Sequence, residues 1–291
     1  MAIREVRASG LEYLALVTEL LQRARLADAE AGLWEAADLQ WWWRTPRRSD
    51  AVGHIFWIDD EGPVAGVVLT DWGRAWACDP IVVPGISTVT LPTIWARALE
   101  AVNALGLRAV EVLTRDDDFE LQGLLAGAGF AADEYRSGIT WMNAPDRPEV
   151  AALPEEFALV DRARATTRLH PMRRRSGDDV EARLMQCSLY DPGLDLAVEA
   201  ADGPVAGYAL FWLDPVTGVG LLEPMRVEDA YQRRGLARAM LTAGLDRLAQ
   251  QGARRLKVGY ATDVARALYT GAGFQVTSTT RSYTWRRPEP V

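Results

Sequence analysis

Apolar positions recur along the chain with two periods. Helical spacing marks residues 11–26 and 33–43, and again Leu236 to Leu248, where Leu236, Met240, Leu241, Leu245 and Leu248 share one face. Strand-like runs lie between them. Ile55-Phe56-Trp57-Ile58, the turn Asp59-Asp60-Glu61-Gly62 and Pro63 to Leu69 read as a hairpin. So do Leu196-Ala197-Val198, Ala201-Asp202-Gly203 and Pro204 to Leu210. Val219 to Val227 is an apolar strand placed directly before the Leu236 helix. Each half of the chain predicts helices, an antiparallel hairpin, then strand–helix–strand–helix–strand. That is an α/β fold, a mixed and mostly antiparallel sheet with helices on both faces.

The two halves share sequence as well as pattern. Gly-Pro-Val-Ala-Gly occurs at 62–66 and at 203–207, an offset of 141. Gly106 to Val112 matches Gly252 to Val258 at 146, Gly127-Ala128-Gly129-Phe130 matches Gly271-Ala272-Gly273-Phe274 at 144, and Thr140-Trp141 matches Thr284-Trp285 at 144. Ordered matches at near-constant spacing mean a duplication. The Pro-containing stretch Asn143 to Pro148 is the expected linker, giving domains of 1–145 and 149–291.

Between the strand at 219–227 and the helix from 236 lies Tyr231-Gln232-Arg233-Arg234-Gly235-Leu236-Ala237. The first N–H groups of a helix lack intrahelical partners and carry partial positive charge, so an anion completes them. Gly235 lets a ligand approach the backbone, small Ala237 does not block it, and Arg233 and Arg234 add charge. The pattern Gln-x-x-Gly-x-Ala resembles the pyrophosphate loop of the GNAT acyltransferase superfamily, which binds acetyl-coenzyme A. Ala265 to Phe274, a helix ending in Gly-Phe with Tyr269 five residues before the Phe, resembles that family's second landmark. Residues of about 157 to 286 carry the resemblance, and the whole chain resembles a tandem GNAT protein, two GNAT-like domains in one polypeptide.

The resemblance implies an N-acetyltransferase moving an acetyl group from acetyl-coenzyme A to the amine of a small molecule, with its active site in the second half. It implies that Met225, Arg226 and Val227 bind the pantetheine arm through their main chain, and that Gln232 to Ala237 hold the pyrophosphate. Thr262 stands where the family often has Asn, and its hydroxyl can still meet the cofactor. Tyr269 is the expected general acid for the departing thiolate, against plain core packing. Glu223, the one acid inside its strand, is read either as the base that takes the amine proton or as a partner of a local arginine such as Arg226. Pro224 beside it removes a ladder donor, which calls for a bulge, a splayed edge or a strand end. At the 144 offset the loop becomes Thr88 to Thr93, with no glycine or arginine and with Pro92, and Tyr269 becomes Leu125. The first half is therefore expected to have lost productive coenzyme binding. The other readings are a non-catalytic acyl-coenzyme A sensor and a transferase using another acyl-coenzyme A.

Composition narrows the partners. The 291 residues are 49% hydrophobic and 25% charged, with net charge -8. Residues 1–146 hold 12 Arg and 22 acids, net -10, which leaves 20 basic residues and 18 acids, net +2, for the remainder. This balance argues against nucleic acid and anionic membranes, and no apolar run is long enough to span a bilayer. With no signal-like start and two cysteines, Cys78 and Cys187, expected as buried apolar residues, a cytoplasmic protein, monomer or homodimer, is expected. His54 and His170 have no local acid and nucleophile company, so neither a metal site nor a Ser-His-Asp triad is expected. Trp41-Trp42-Trp43 reads as interface packing or a substrate wall. The basic run Arg162, Arg164, Arg168 and Arg173 to Arg175 reads as a solvated helix face, or as a contact to substrate or to the coenzyme's 3′-phosphate.

Overall fold

A computed structural model describes residues 3–165, 169–201 and 203–287; Arg168 and Asp202 lie outside them. In chain order the elements are β1 (Arg4–Ala8), α1 (Gly10–Ala27), α2 (Ala36–Trp43), β2 (His54–Asp59), β3 (Gly62–Asp71), β4 (Trp76–Val82), α3 (Leu91–Ala104), β5 (Ala109–Arg115), α4 (Phe119–Gly127) and β6 (Ala131–Asn143). There follow β7 (Phe157–Asp161), the short α5 (Arg173–Ser176) and α6 (Val180–Leu184), β8 (Asp195–Ala200), β9 (Val205–Asp214), β10 (Val219–Val227), α7 (Leu236–Gln250), β11 (Arg255–Tyr260), α8 (Asp263–Gly271) and β12 (Gln275–Arg286).

Two compact units form, and they do not follow chain order as the expected 1–145 and 149–291 division does. One comprises Met1–Leu39, Pro46–Ser137 and Ser278–Val291; the other comprises Gln40–Thr45 and Gly138–Thr277. In the amino-terminal unit β1 to β4 are antiparallel neighbours, β4 meets β5 in parallel, and β5 is completed by Thr280 to Arg286 of β12. In the carboxy-terminal unit β7 to β10 are antiparallel, β10 meets β11 in parallel, and β11 is completed by Gly138 to Asn143 of β6. The last strand of each repeat thus finishes the sheet of the other. These are the strands carrying the repeated Thr140-Trp141 and Thr284-Trp285, so each presents an equivalent edge to an equivalent site. That similarity makes an exchange cheap, as in domain swapping.

Alternation along the central strands puts helices on both faces. In the amino-terminal unit Ala65, Val67 and Leu69 join Ile94, Trp95 and Ala98 of α3 in one core, while the opposite face at Gly66 is met by Leu20 of α1. In the carboxy-terminal unit Ala209 and Phe211 pack with Met240, Leu241 and Leu245 of α7. Its other face carries Trp212, which Tyr190 meets edge-on at 6.2 Å. Gly244 of α7 is where Phe211 approaches the helix backbone, and a Cβ there would lie 2.1 Å from the ring.

The tryptophan run belongs with the second unit although it precedes it in sequence. Trp41 and Trp43 are buried and Trp42 is half-buried. Trp43 donates its indole N–H to Gln186 (2.8 Å) under the Arg183 guanidinium, and Gln40 bonds Ser188 (2.9 Å). The basic run is not one solvated face. Arg162 is buried and pairs with Glu181, whereas Arg173 pairs with Asp178 and Arg175 with Glu228, both at 2.7 Å. His170 does have an acid partner: its Nε2 lies 2.8 Å from Asp195 Oδ2, which also accepts from the Tyr190 hydroxyl. Asp195 is distant in sequence, which hid the pair. With Nδ1 accepting from the Met172 N–H, the buried imidazole ties a loop to β8. Both cysteines are buried.

Candidate active site

The loop before α7 is shaped by two left-handed residues, Arg233 (φ 60) and Gly235 (φ 80). Gly235 is the N-cap of α7, and no side chain caps the helix. A Cβ at Gly235 would meet nothing within 4 Å, so the space above the first turn is open. Arg233 and Arg234 are exposed, Leu236 is buried in the core, and Ala237 is half-buried. Gln232 turns back, donating to the Val227 carbonyl (3.3 Å) and to Asp229 (3.1 Å), and so fixes the approach from β10. Uncapped helix N–H groups, two arginines and a missing Cβ together form an anion cradle.

Next to it β10 parts from β11. Their parallel pairing covers Val219 to Leu221 against Arg255 to Lys257 and then stops. Beyond it β11 stays with β6, and β10 stays with β9 through Val227. The β9 register shifts between Leu222 and Met225. Pro224 therefore sits in a bulge inside the strand, and of the three readings the strand end is excluded. Glu223, Pro224, Met225, Arg226 and Val227 are half-buried along the splayed stretch. The Glu223 carbonyl accepts from the Trp212 indole (2.8 Å). Arg226 turns to Asp229 (3.2 Å) and Glu228 (3.6 Å).

Tyr269 projects from α8 into the core, 7% exposed, with its ring edge-on to Phe274 at 6.3 Å. Burial, and then the negative charge of Glu223, push its phenol up to about 12. The second influence shows that the fold brings Tyr269 and Glu223 within electrostatic reach. Thr262 is the N-cap of α8 and accepts from the Ala265 N–H (3.2 Å), so its hydroxyl first serves to cap the helix. Among the described residues no group of three or more His, Cys, Asp or Glu is placed to hold a metal ion, and no helix is long and apolar enough to cross a membrane.

The equivalent place in the amino-terminal unit is built differently. The N-terminus of α3 is closed by Thr90, whose hydroxyl accepts from the Thr93 N–H, and Pro92 lies in its first turn. The parallel pairing of β4 with β5 likewise stops early, at Ala77 and Glu111. Sequence reasoning passed over one residue here. Asp79-Pro80 stands at the 144 offset from Glu223-Pro224, so both repeats carry an acid before a proline on the splayed strand.

Residues 163–274 match the Acetyltransferase (GNAT) family. Over 195 residues the chain is 30% identical to a mycothiol acetyltransferase of Kineococcus radiotolerans, covering 61% of this chain and 62% of that one. Over 114 residues it is 34% identical to YhbS, an uncharacterized N-acetyltransferase of Escherichia coli, covering 36% and 64%. The matched segments thus span less than two thirds of these relatives. Among solved structures, a tandem GNAT protein from the clavulanic acid biosynthesis pathway superposes over 99% of this chain and all of its own with TM-score 0.71 at 15% identity. A GCN5-related N-acetyltransferase from Sphaerobacter thermophilus covers 99% and 97% with TM-score 0.64 at 16% identity. Residues 163–274 are therefore a GNAT acetyltransferase domain, carried by a chain with the tandem GNAT fold.

Proposed function

We propose that the protein is an N-acetyltransferase that uses acetyl-coenzyme A and a small-molecule amine, with its one active site in the carboxy-terminal unit. The observation that carries this reading is the uncapped start of α7 beside the splayed β10. It supplies an anion cradle and a slot for an extended arm in one place, and the amino-terminal unit closes the first of these with Thr90. Acetyl-coenzyme A supplies the activated acetyl group. The backbone from Gly235 through Ala237, with Arg233 and Arg234, holds its pyrophosphate, and the main chain of Met225 to Val227 orients its arm. Tyr269 keeps its phenolic proton at all physiological pH and gives it to the departing thiolate. Glu223, at the bulge, takes the proton from the attacking amine. The net -10 of residues 1–146 suits a cationic acceptor.

Calorimetric titration with acetyl-coenzyme A, followed by thiol release across a panel of amines, tests this. One coenzyme per chain and release with at least one amine are expected. Binding without release across the panel favours a sensor, and release only with longer acyl-coenzyme A thioesters favours another acyl donor.

A further inference from the structure

Outside the proposed active site, a cavity of about 460 Å³ lies within the amino-terminal unit. It lies between α1, the loop before α2, β4, β5 and the start of α3. Its walls are mostly apolar, among them Leu21, Leu33, Ile81, Ile86, Val89 and Leu121. One polar group in the lining stands out. Asp79 is only 4% exposed, and its carboxylate is half-satisfied: the Trp34 indole donates to Oδ1 (2.9 Å), while Oδ2 is buried without a hydrogen-bond partner. A buried carboxylate oxygen left unpaired is costly, and such a group calls for a partner.

The other charges around the cavity decide the sign of that partner. Arg25 is neutralised by Glu35 through two bonds of 2.6 and 3.1 Å. Arg115 is neutralised by Asp117 through bonds of 2.7 and 2.9 Å. That leaves the acids Asp79, Asp118 and Glu120 in the lining. The start of α3 would disfavour a cation through its dipole, but Thr90 caps it. The same cap, the early proline and the acid excess disfavour a phosphate. Behind Asp79 stands Tyr13, whose phenol is pushed up by burial first and then by the charge of Asp79, so its hydroxyl stays neutral.

We propose that this cavity is a binding site for a small primary ammonium compound with an apolar body, with the Asp79 carboxylate as its counter-ion. The Oδ2 atom accepts from the ammonium, Trp34 holds the carboxylate in place through Oδ1, and the aliphatic walls take the carbon skeleton. This site is separate from the acyl-transfer reading, and neither depends on the other. The Asp79 carboxyl is tuned for it. Burial raises the Asp79 carboxyl to about 7, only partly opposed by the Trp34 bond, so below that pH a bound ammonium must displace a proton.

Calorimetry on the full-length protein with 2-phenylethylamine, and with 2-phenylethanol as its uncharged counterpart, tests the site. The amine is expected to bind at least tenfold tighter than the alcohol, and Asp79→Asn is expected to remove that preference. Titrations in buffers of different ionisation enthalpy should show nearly one proton released per amine at pH 6 and almost none at pH 8.5. That readout needs no variant, so it decides the matter even if Asp79→Asn folds poorly. Binding should persist in Glu223→Gln. Equal affinity for amine and alcohol, absence of proton release at pH 6, or no binding at millimolar amine overturns the proposal. Amine binding lost in Glu223→Gln but kept in Asp79→Asn also overturns it, and assigns the amine to the acyl-acceptor site.

Discussion

Replacing Asp79 by Asn should change how the stability of the amino-terminal unit depends on pH. Two buried groups there titrate in opposite senses. Burial raises Asp79 from 3.8 to about 7. A raised carboxyl pKa means that the folded state holds a proton the unfolded state has released, so stability is full below 3.8 and is lost as pH rises through 7. Three pH units at 1.36 kcal/mol each give about 4 kcal/mol. His54, stacked on Tyr13 at 3.8 Å, is lowered from 6.5 to about 4, by burial first. Here the unfolded state binds the extra proton, so stability is full above 6.5 and is lost as pH falls towards 4. That loss is about 3 kcal/mol. Between about 4.5 and 6.5 the two slopes cancel. Asn keeps an acceptor for the Trp34 indole but cannot titrate. The difference in unfolding free energy, Asp79→Asn minus wild type, should therefore grow by about 4 kcal/mol from pH 4 to 7.5. Against the wild-type profile, the variant should show the uncompensated His54 slope, gaining stability as pH rises from 4 to 6.5. Urea unfolding of the ligand-free protein, followed by tryptophan fluorescence at half-unit pH steps, measures both curves. Curves that run parallel across this range would refute the reasoning, because then Asp79 does not change protonation on unfolding.

Four further outcomes follow from the carboxy-terminal unit. Gly235→Asp should abolish acetyl-coenzyme A binding by calorimetry, since it combines a strained φ of 80 with a negative charge in the cradle; retained affinity would move the site elsewhere. Tyr269→Phe should lower kcat by roughly 10²–10⁴ with little change in coenzyme affinity, measured by thiol release with chemistry rate-limiting, and unchanged turnover would return Tyr269 to core packing. Glu223→Gln should slow the reaction most at low pH, where the amine stays protonated, and should lower the Tyr269 pKa by removing its negative neighbour; an unaltered acidic limb would leave the base as water or another group. Gly244→Ala should lose about 1–3 kcal/mol in thermal unfolding, because its Cβ would stand 2.1 Å from the fully buried Phe211 ring; an undiminished Tm would mean that the ring has room to move.

Local structure was legible in the sequence. Helix and hairpin patterns gave α1, α7, β2, β3 and β10 with boundaries within a residue or two, because each depends on periodicity and turn residues that lie next to one another. The loop at Gln232 to Ala237 was legible for the same reason: cap, glycine and arginines are contiguous. The bulge at Pro224 was foreshadowed by a missing ladder donor, and the closed start of α3 by Pro92 and the absence of glycine. Tertiary structure decided what depends on residues far apart in sequence. It placed β6 and β12 in each other's sheets, since two equivalent strands fit two equivalent edges and sequence offers no preference between them. It gave His170 its buried acid, Asp195, and drew Gln40–Thr45 to the second unit through Gln186 and Ser188. It also left Asp79 half-satisfied beside a cavity. The repeat offset pairs Asp79 with Glu223, but burial and the missing partner of Oδ2 arise only when α1, the loop before α2 and β5 close around β4.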